Sequence, residues 1–188
     1  SAGKSLCFQI PSLLREGCGI VISPLIALMK DQVDSLKEMG VKADAINSSL
    51  AFEEIREIER KLKNNELDLL YVAPERLLNS SFLFLLKKVK IALFAIDEAH
   101  CISQWGHDFR PEYLKLSVLR EEFPRVPAVA LTATADVPTR NEILSKLNLP
   151  PENVFLSSFD RPNINYTVVE KNNGRSQLFE FLKNNKGR

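Results

Sequence analysis

Two acidic residues stand where a buried strand is expected to end. Residues 91–96 form an unbroken apolar run, which predicts a buried strand, and Asp97 and Glu98 follow it directly. A carboxylate pair at such a position can hold Mg²⁺ and activate water beside a phosphate, with Asp97 on the metal and Glu98 as the base. A solvated acidic strand end is the common alternative.

A second segment suited to phosphate chemistry opens the chain. Gly3, Lys4 and Ser5 precede a helix-compatible apolar run at residues 6–10 and match the second half of a phosphate-binding loop, G-x-x-x-x-G-K-[ST]. Lys4 would reach the β- and γ-phosphates, the Ser5 hydroxyl would ligate Mg²⁺, and backbone N–H groups would surround the phosphates. Any loop can contain these three residues, so the motif gains weight only from the acidic pair.

The residues after the acidic pair combine polar and aromatic side chains. His100 would lie beside the γ-phosphate position and could report its presence to neighbouring segments. Trp105, Phe109 and Tyr113 are spaced like one buried helical face, but Gly106 and polar neighbours break that pattern. Aromatic and Arg side chains can stack on nucleic-acid bases. The candidates for coupling nucleic-acid contact to phosphate chemistry are Gln104, Trp105, His107, Phe109 and Arg110.

Three other predicted strand ends carry polar groups. At two of them a Pro opens a helix whose N-terminus could hold a DNA phosphate, although each Pro could simply start its helix. At the third, two Thr hydroxyls could hydrogen-bond the acidic pair or a backbone group, and an ordinary β-branched strand end explains them nearly as well. The candidates are Ser23 and Pro24, then Pro74, Glu75 and Arg76, and finally Thr132 and Thr134.

Strand-like runs alternate with helical patterns along the chain. The predicted strands are residues 19–23, 42–46, 67–73, 91–96, 128–132 and 154–157. The predicted helices are residues 25–39, 52–63, 75–89, 113–123 and 138–147. This alternation predicts an α/β fold of three layers, α/β/α, with a mostly parallel central sheet and ligands at the carboxyl ends of the strands.

The last thirty residues have a different pattern. Residues 158–163 are rich in turn formers, residues 164–170 predict a strand and residues 176–183 predict a short helix. We therefore expect a first domain over residues 1–157, followed at 158–188 by a linker and the start of a second domain. The missing first half of the phosphate loop indicates that the first domain is truncated at its start.

The bulk composition restricts the class of protein. The 188 residues are 45% apolar and 26% charged, which is ordinary for a globular protein. No apolar stretch approaches the ~20 residues of a membrane span, and no signal peptide is visible. The net charge of +1 means that nucleic-acid binding would need a local patch. Cys7, Cys18 and Cys101 lack CxxC spacing, which favours free thiols in a reducing compartment and no zinc site.

In their order along the chain, these segments resemble the RecQ family of DNA helicases in helicase superfamily 2. The resemblance covers the whole chain. The matching segments are residues 3–11 (motif I), 23–33 (motif Ia), 71–77 (a DNA-contacting segment), 97–100 (motif II), 101–113 (the aromatic-rich loop), 131–135 (motif III) and 158–164 (the segment between the two motor domains).

The resemblance implies a motor driven by ATP and Mg²⁺ that moves 3′ to 5′ on single-stranded DNA and separates duplexes in recombination and repair. It implies two RecA-like (P-loop NTPase) domains with ATP between them, so the second motor domain would be a missing partner. By the same resemblance, Gly3, Lys4, Ser5 and His100 bind nucleotide, Ser5 and Asp97 bind Mg²⁺, and Lys4, Asp97 and Glu98 are catalytic. The implied location is the bacterial cytoplasm, at the nucleoid, or the nucleus in a eukaryote.

Two alternatives remain open at this point. A DEAH-type RNA helicase shares the letters of residues 97–100, although the aromatic loop favours the RecQ pattern. A fragment that binds nucleotide or DNA without turnover is the second alternative, because an arginine finger from another domain contributes ~10³–10⁵ to the rate of phosphoryl transfer. We therefore expect the isolated 188 residues to show negligible DNA-stimulated ATPase activity.

Overall fold

Five parallel strands form the centre of the computed structural model, which describes residues 3–104, 108–157 and 163–185. The strands are β1 (Cys18–Ile22), β2 (Ala43–Ile46), β3 (Leu69–Val72), β4 (Ile91–Ile96) and β5 (Ala128–Ala130). Their order across the sheet is β2-β3-β1-β4-β5, and every neighbouring pair is parallel. The predicted α/β class and parallel sheet are confirmed.

Helices connect and cover the strands. They are α1 (Leu6–Leu14), α2 (Ile26–Glu38), α3 (Phe52–Lys63), α4 (Pro74–Leu77), α5 (Ser80–Leu86), α6 (Pro111–Leu114), α7 (Val118–Glu122), α8 (Val137–Lys146) and α9 (Gly174–Asn184), with short 3₁₀ turns at Ala99–Ile102, Lys115–Ser117 and Pro151–Asn153. No helix in the described part of the chain is long and apolar enough to cross a membrane.

Alternating side chains along the strands build two apolar cores, one on each face of the sheet. Ile20 and Ile22 of β1 pack into one core, whereas Val21 packs into the other. The second core also contains Phe8 of α1 and Met29 of α2. Because both faces are covered, all five residues of β1 are buried, which is why this strand is a continuous apolar run.

Close contact between α1 and β1 sets the position of the phosphate-loop segment. Gly19 lies directly under Ser12, and a Cβ at Gly19 would come within 2.2 Å of the Ser12 Oγ. The Ser12 hydroxyl donates instead to the Phe8 carbonyl within α1, at 2.7 Å. The missing side chain therefore lets α1 lie against the sheet and places the helix N-terminus beside the end of β4.

The structure corrects four predicted elements in the described residues. Residues 154–157 and 164–170 are not strands: Phe155 and Val168 are 93% and 99% exposed, with no strand partner in the described part of the chain. The helix predicted at 75–89 is two helices, because the Asn79 side chain accepts from the Ser81 N–H at 2.9 Å and starts a new one. The helix predicted at 113–123 begins earlier, at Pro111, and is three short segments.

The chain divides into two compact units, one ending at Asn153 and the other beginning at Val154. The first contains the whole sheet, and the second contains α9. The predicted boundary after residue 157 and the assignment of two domains stay predictions. The predicted linker at 158–163 lies outside the described residues, except for Asn163.

Candidate functional site

Asp97 is fixed at the carboxyl end of the central strands by backbone hydrogen bonds. Its N–H donates to the Ile22 carbonyl of β1 at 2.9 Å, and its own carbonyl accepts from the Tyr113 hydroxyl, also at 2.9 Å. The residue is only 5% exposed. The predicted position at the strand end is confirmed, and the backbone of Asp97 is held on both sides.

The Asp97 carboxylate lies in an environment that disfavours its negative charge. Burial is the main effect that raises its pKa, and the neighbouring Glu98 charge raises it further. The Glu98 N–H, which donates to Asp97 Oδ1 at 3.0 Å, and the side chains of Lys4 and His100 partly offset this rise. A bound cation would remove the remaining cost of this charge.

Glu98 adopts a left-handed backbone conformation, with φ 47° and ψ 45°. Among the described residues other than glycine, positive φ occurs elsewhere only at Asn65, Asn148 and Asn173. Asn tolerates this conformation, whereas a Glu in it is strained by about 1 kcal/mol or more. The turn places the Glu98 side chain, 20% exposed, within 3.3 Å of His100 Nδ1. No sequence signal indicated this strain.

Lys4 lies at the same edge as Asp97. Its Nζ is buried and has no hydrogen-bond partner among the described residues, although its charge acts on Asp97. Gly3 has φ +95°, which only glycine adopts easily. Ser5 is half-buried and immediately precedes α1. A buried, unpartnered ammonium beside a helix N-terminus is suited to an anion such as phosphate.

His100 and Thr132 connect the acidic motif to the segment after β5. The Thr132 hydroxyl donates to the Thr134 carbonyl at 3.1 Å. Its oxygen also lies 2.9 Å from His100 Nδ1, in a hydrogen bond whose direction depends on the tautomer of the imidazole. Thr134 takes part through its backbone, since its N–H also donates to Thr132 Oγ1 at 3.2 Å. Of the two predicted Thr side chains, Thr132 contacts the motif through His100, and neither hydroxyl is bonded to the carboxylates of Asp97 or Glu98.

Arg110 links the predicted coupling loop to the end of β1. Its guanidinium donates to the Pro24 carbonyl at 3.3 Å and lies 3.5 Å from Asp108. Phe109 beside it is half-buried, and Gln104 is exposed. Trp105 and His107 lie outside the described residues, so their predicted coupling roles stay predictions.

Ser23 lies deeper than a surface DNA contact would require. It is 2% exposed, and its Oγ has no hydrogen-bond partner among the described residues. Ile22 pairs with Ile96, so Ser23 and Asp97 occupy matching positions just beyond β1 and β4. Pro24 is half-buried and lies two residues before α2. The predicted DNA contact at this segment stays a prediction.

The segment at Pro74, Glu75 and Arg76 is largely occupied by contacts within the protein. Pro74 is the buried first residue of α4, which fits the interpretation that it starts its helix. The Arg76 guanidinium forms an ion pair with Glu59 and lies 5.2 Å from the centroid of the Phe82 ring. Glu75 is exposed. DNA contact here stays a prediction that these contacts do not favour.

One polar group of the site was not among the candidate residues named from the sequence. Tyr71 lies within the apolar run of β3, and its hydroxyl bonds to Gln9 of α1 and Gln32 of α2. Burial raises the Tyr71 pKa to about 12. The only available signal was a tyrosine within a buried strand, a position where the hydroxyl needs partners.

The DEAD/DEAH box helicase family model matches residues 1–143, and the chain belongs to this family. Within the family, it is 55% identical to the ATP-dependent DNA helicase RecQ of Pasteurella multocida, over 99% of this chain and 29% of that protein. It is 46% identical to the ATP-dependent DNA helicase RecQ of Bacillus subtilis, over 98% of this chain and 31% of that protein. The predicted resemblance to RecQ helicases is confirmed, and the chain spans about 30% of the length of these relatives.

A solved structure has the same fold. The Hef helicase domain of Pyrococcus furiosus aligns with a TM-score of 0.53 and 16% identity, over 78% of this chain and 32% of that one. At this identity the match concerns the fold alone. It confirms the predicted α/β fold with a central parallel sheet.

Proposed function

We propose that this chain is the first motor domain of a RecQ-type, ATP-dependent DNA helicase that moves 3′ to 5′ and separates duplexes in recombination and repair. The observation that carries the proposal is the juxtaposition of the buried Asp97 carboxylate with the Lys4 ammonium, whose Nζ is buried and has no hydrogen-bond partner among the described residues. The relatives named above are ATP-dependent DNA helicases, which supports this reaction.

The residues at this edge fit ATP and Mg²⁺. Lys4 would hold the β- and γ-phosphates, and the Ser5 hydroxyl and the Asp97 carboxylate would hold Mg²⁺, while Gly3 allows the backbone to approach the phosphates. When bound, the metal would neutralise the charge that develops on the phosphate oxygens. Two observations support this occupancy: Lys4 Nζ has no hydrogen-bond partner in the described part of the chain, and burial disfavours the negative charge of Asp97.

Glu98 is the proposed general base. It lies in a strained turn just beyond the strand, and its side chain is 20% exposed, so a water molecule can reach it. The carboxylate would orient this water and accept its proton during attack. His100 contacts both Glu98 and Thr132, so it would keep the base aligned and relay its position to the segment after β5.

DNA contact would reach this site through the aromatic loop. Arg110 joins that loop to the segment after β1 by its hydrogen bond to Pro24. Gln104, Trp105, His107 and Phe109 are the proposed stacking and polar contacts to single-stranded DNA. The names of the relatives favour DNA over the RNA alternative. A second motor domain would complete the nucleotide site.

The proposed activity implies a place in the cell where DNA is accessible. In a bacterium this is the cytoplasm, at the nucleoid, and in a eukaryote it is the nucleus. The RecQ relatives named above are from bacteria, which supports the bacterial setting.

The test is ATP hydrolysis by the complete protein with and without single-stranded DNA. Trp105→Ala should retain nucleotide binding and basal hydrolysis but lose most of the stimulation by DNA, because base stacking contributes ~1–3 kcal/mol per base. Phe84→Ala, at an exposed aromatic residue of α5, is the matched control. Stimulation that Trp105→Ala leaves unchanged would refute the coupling role, and equal stimulation by single-stranded RNA would favour the RNA alternative.

A further inference from the structure

A chain of two hydrogen bonds through the buried hydroxyl of Tyr71 joins three elements of the first unit. Gln9 Nε2 of α1 donates to the Tyr71 hydroxyl of β3 at 3.2 Å. The same hydroxyl donates to Gln32 Oε1 of α2 at 2.8 Å. Tyr71 is 1% exposed and Gln9 is 9% exposed, whereas Gln32 is half-buried, so the Gln9–Tyr71 bond is buried and the Tyr71–Gln32 bond is partly buried.

This chain of hydrogen bonds lies beneath the acidic site. Tyr71 pairs with Val21, and Val21 pairs with Ala95, so the three side chains lie on one face of the sheet. Asp97 lies two residues beyond Ala95 and therefore follows the same face. The charge of Asp97 acts on the Tyr71 hydroxyl, and the Tyr71 ring packs edge-on to Phe8 of α1, with centroids 6.3 Å apart.

The two outer residues of this hydrogen-bond chain lie on helices, and each helix follows a segment that is proposed to bind a ligand. The α1 helix begins directly after Lys4 and Ser5. The α2 helix follows Ser23 and Pro24, the segment that Arg110 contacts. A displacement of either helix would therefore strain a hydrogen bond to the Tyr71 hydroxyl.

Packing alone does not explain the hydroxyl. A phenylalanine would fill nearly the same volume, and burying a hydroxyl in this core is costly unless it is hydrogen-bonded. Here it has two partners, and both are amides from helices on the same face of the sheet. The two hydrogen bonds therefore fix the distances of α1 and α2 from the hydroxyl oxygen of Tyr71. Such fixed distances are what a mechanical link between the helices requires.

We propose that the Tyr71 hydroxyl, with Gln9 and Gln32, is a positioning relay that couples nucleotide occupancy at Lys4 to the grip of the α2 segment on DNA. This inference rests on the proposed function, since it requires that one chain bind both ligands. None of the three residues touches the reacting atoms.

The experiment measures the affinity of the complete protein for single-stranded DNA with and without a non-hydrolysable ATP analogue in Mg²⁺. The ratio of the two dissociation constants is the nucleotide–DNA coupling. We expect Tyr71→Phe to move this ratio about three- to tenfold towards one, while nucleotide affinity without DNA changes by less than about twofold. Gln32→Leu should give the same loss, and the double variant Gln32→Leu/Tyr71→Phe should lose no more than either single variant.

The outcomes separate the relay from the proposed function. Tyr166→Phe, at a tyrosine that is 89% exposed in the second unit, should keep the unmodified ratio. If the unmodified protein shows no coupling, the proposed function and the relay both fail. If nucleotide changes the DNA affinity of the unmodified protein and that of Tyr71→Phe by the same ratio, only the relay fails. A Tyr71→Phe protein that loses both affinities in parallel would show a structural role and would also overturn the relay.

Discussion

Replacing Glu98 with asparagine should stabilise the chain while it removes the proposed base. Glu98 is held at φ 47° and ψ 45°, which costs a non-glycine residue about 1 kcal/mol or more, whereas Asn adopts this region readily. Glu98→Gln is the matched control because it removes the same charge beside Asp97 but keeps a side chain disfavoured in this conformation. The difference between these two variants therefore isolates the backbone strain.

The expected difference follows from the backbone alone. Both variants alter the Glu98 contact with His100, so that loss largely cancels between them. We expect Glu98→Asn to exceed Glu98→Gln by about 0.5–1 kcal/mol in free energy of unfolding, or roughly 1–4 °C in Tm for a chain of this size. Thermal unfolding followed by circular dichroism, in EDTA and without nucleotide, measures it. A Glu98→Asn protein that melts at or below Glu98→Gln would refute the assignment of strain to this residue.

Three further results are expected. Arg110→Ala should reduce the DNA stimulation of ATP hydrolysis by the complete protein, because it removes the bond to the Pro24 carbonyl, and Arg110→Lys should restore part of it; equal stimulation in all three proteins would contradict this link. In a thiol titration at pH 8, Cys7 should react in the folded chain, while Cys18 and Cys101 should react only after unfolding. Both of these thiols are buried, and burial raises the pKa of Cys101 to about 12 and that of Cys18 further. Equal reaction rates for all three thiols would contradict the fold. The isolated 188 residues should show negligible DNA-stimulated hydrolysis, measured by phosphate release, and robust unwinding by them alone would refute that expectation.

The sheet could be predicted because its strands leave a clear pattern. In a parallel sheet covered on both faces, every residue of a strand such as Ile91–Ile96 is apolar, so its bounds were predicted without error. The amphipathic pattern of Phe52–Lys63 predicted α3 equally well. Periodicity failed at residues 154–157, because an apolar run predicts a strand only where another strand is available to pair with it.

The site was predictable where chemistry depends on residue type. Carboxylates after a strand and a Gly-Lys-Ser segment before a helix placed Asp97 and Lys4 at one edge. The left-handed turn at Glu98 and the bonds of the Tyr71 hydroxyl were not predictable. Both depend on tertiary contacts, since the motifs that contain these residues indicate residue types but not a backbone conformation or a hydrogen-bond partner.

Glu98 as the base that activates water is the central chemical assignment. The most direct measurement is single-turnover ATP hydrolysis by the complete protein and its Glu98→Gln variant, with nucleotide binding measured in parallel. We expect the variant to bind ATP with nearly unchanged affinity, while its hydrolysis falls by about a hundredfold or more, the usual contribution of a general base. Hydrolysis at the unmodified rate by Glu98→Gln would contradict the assignment.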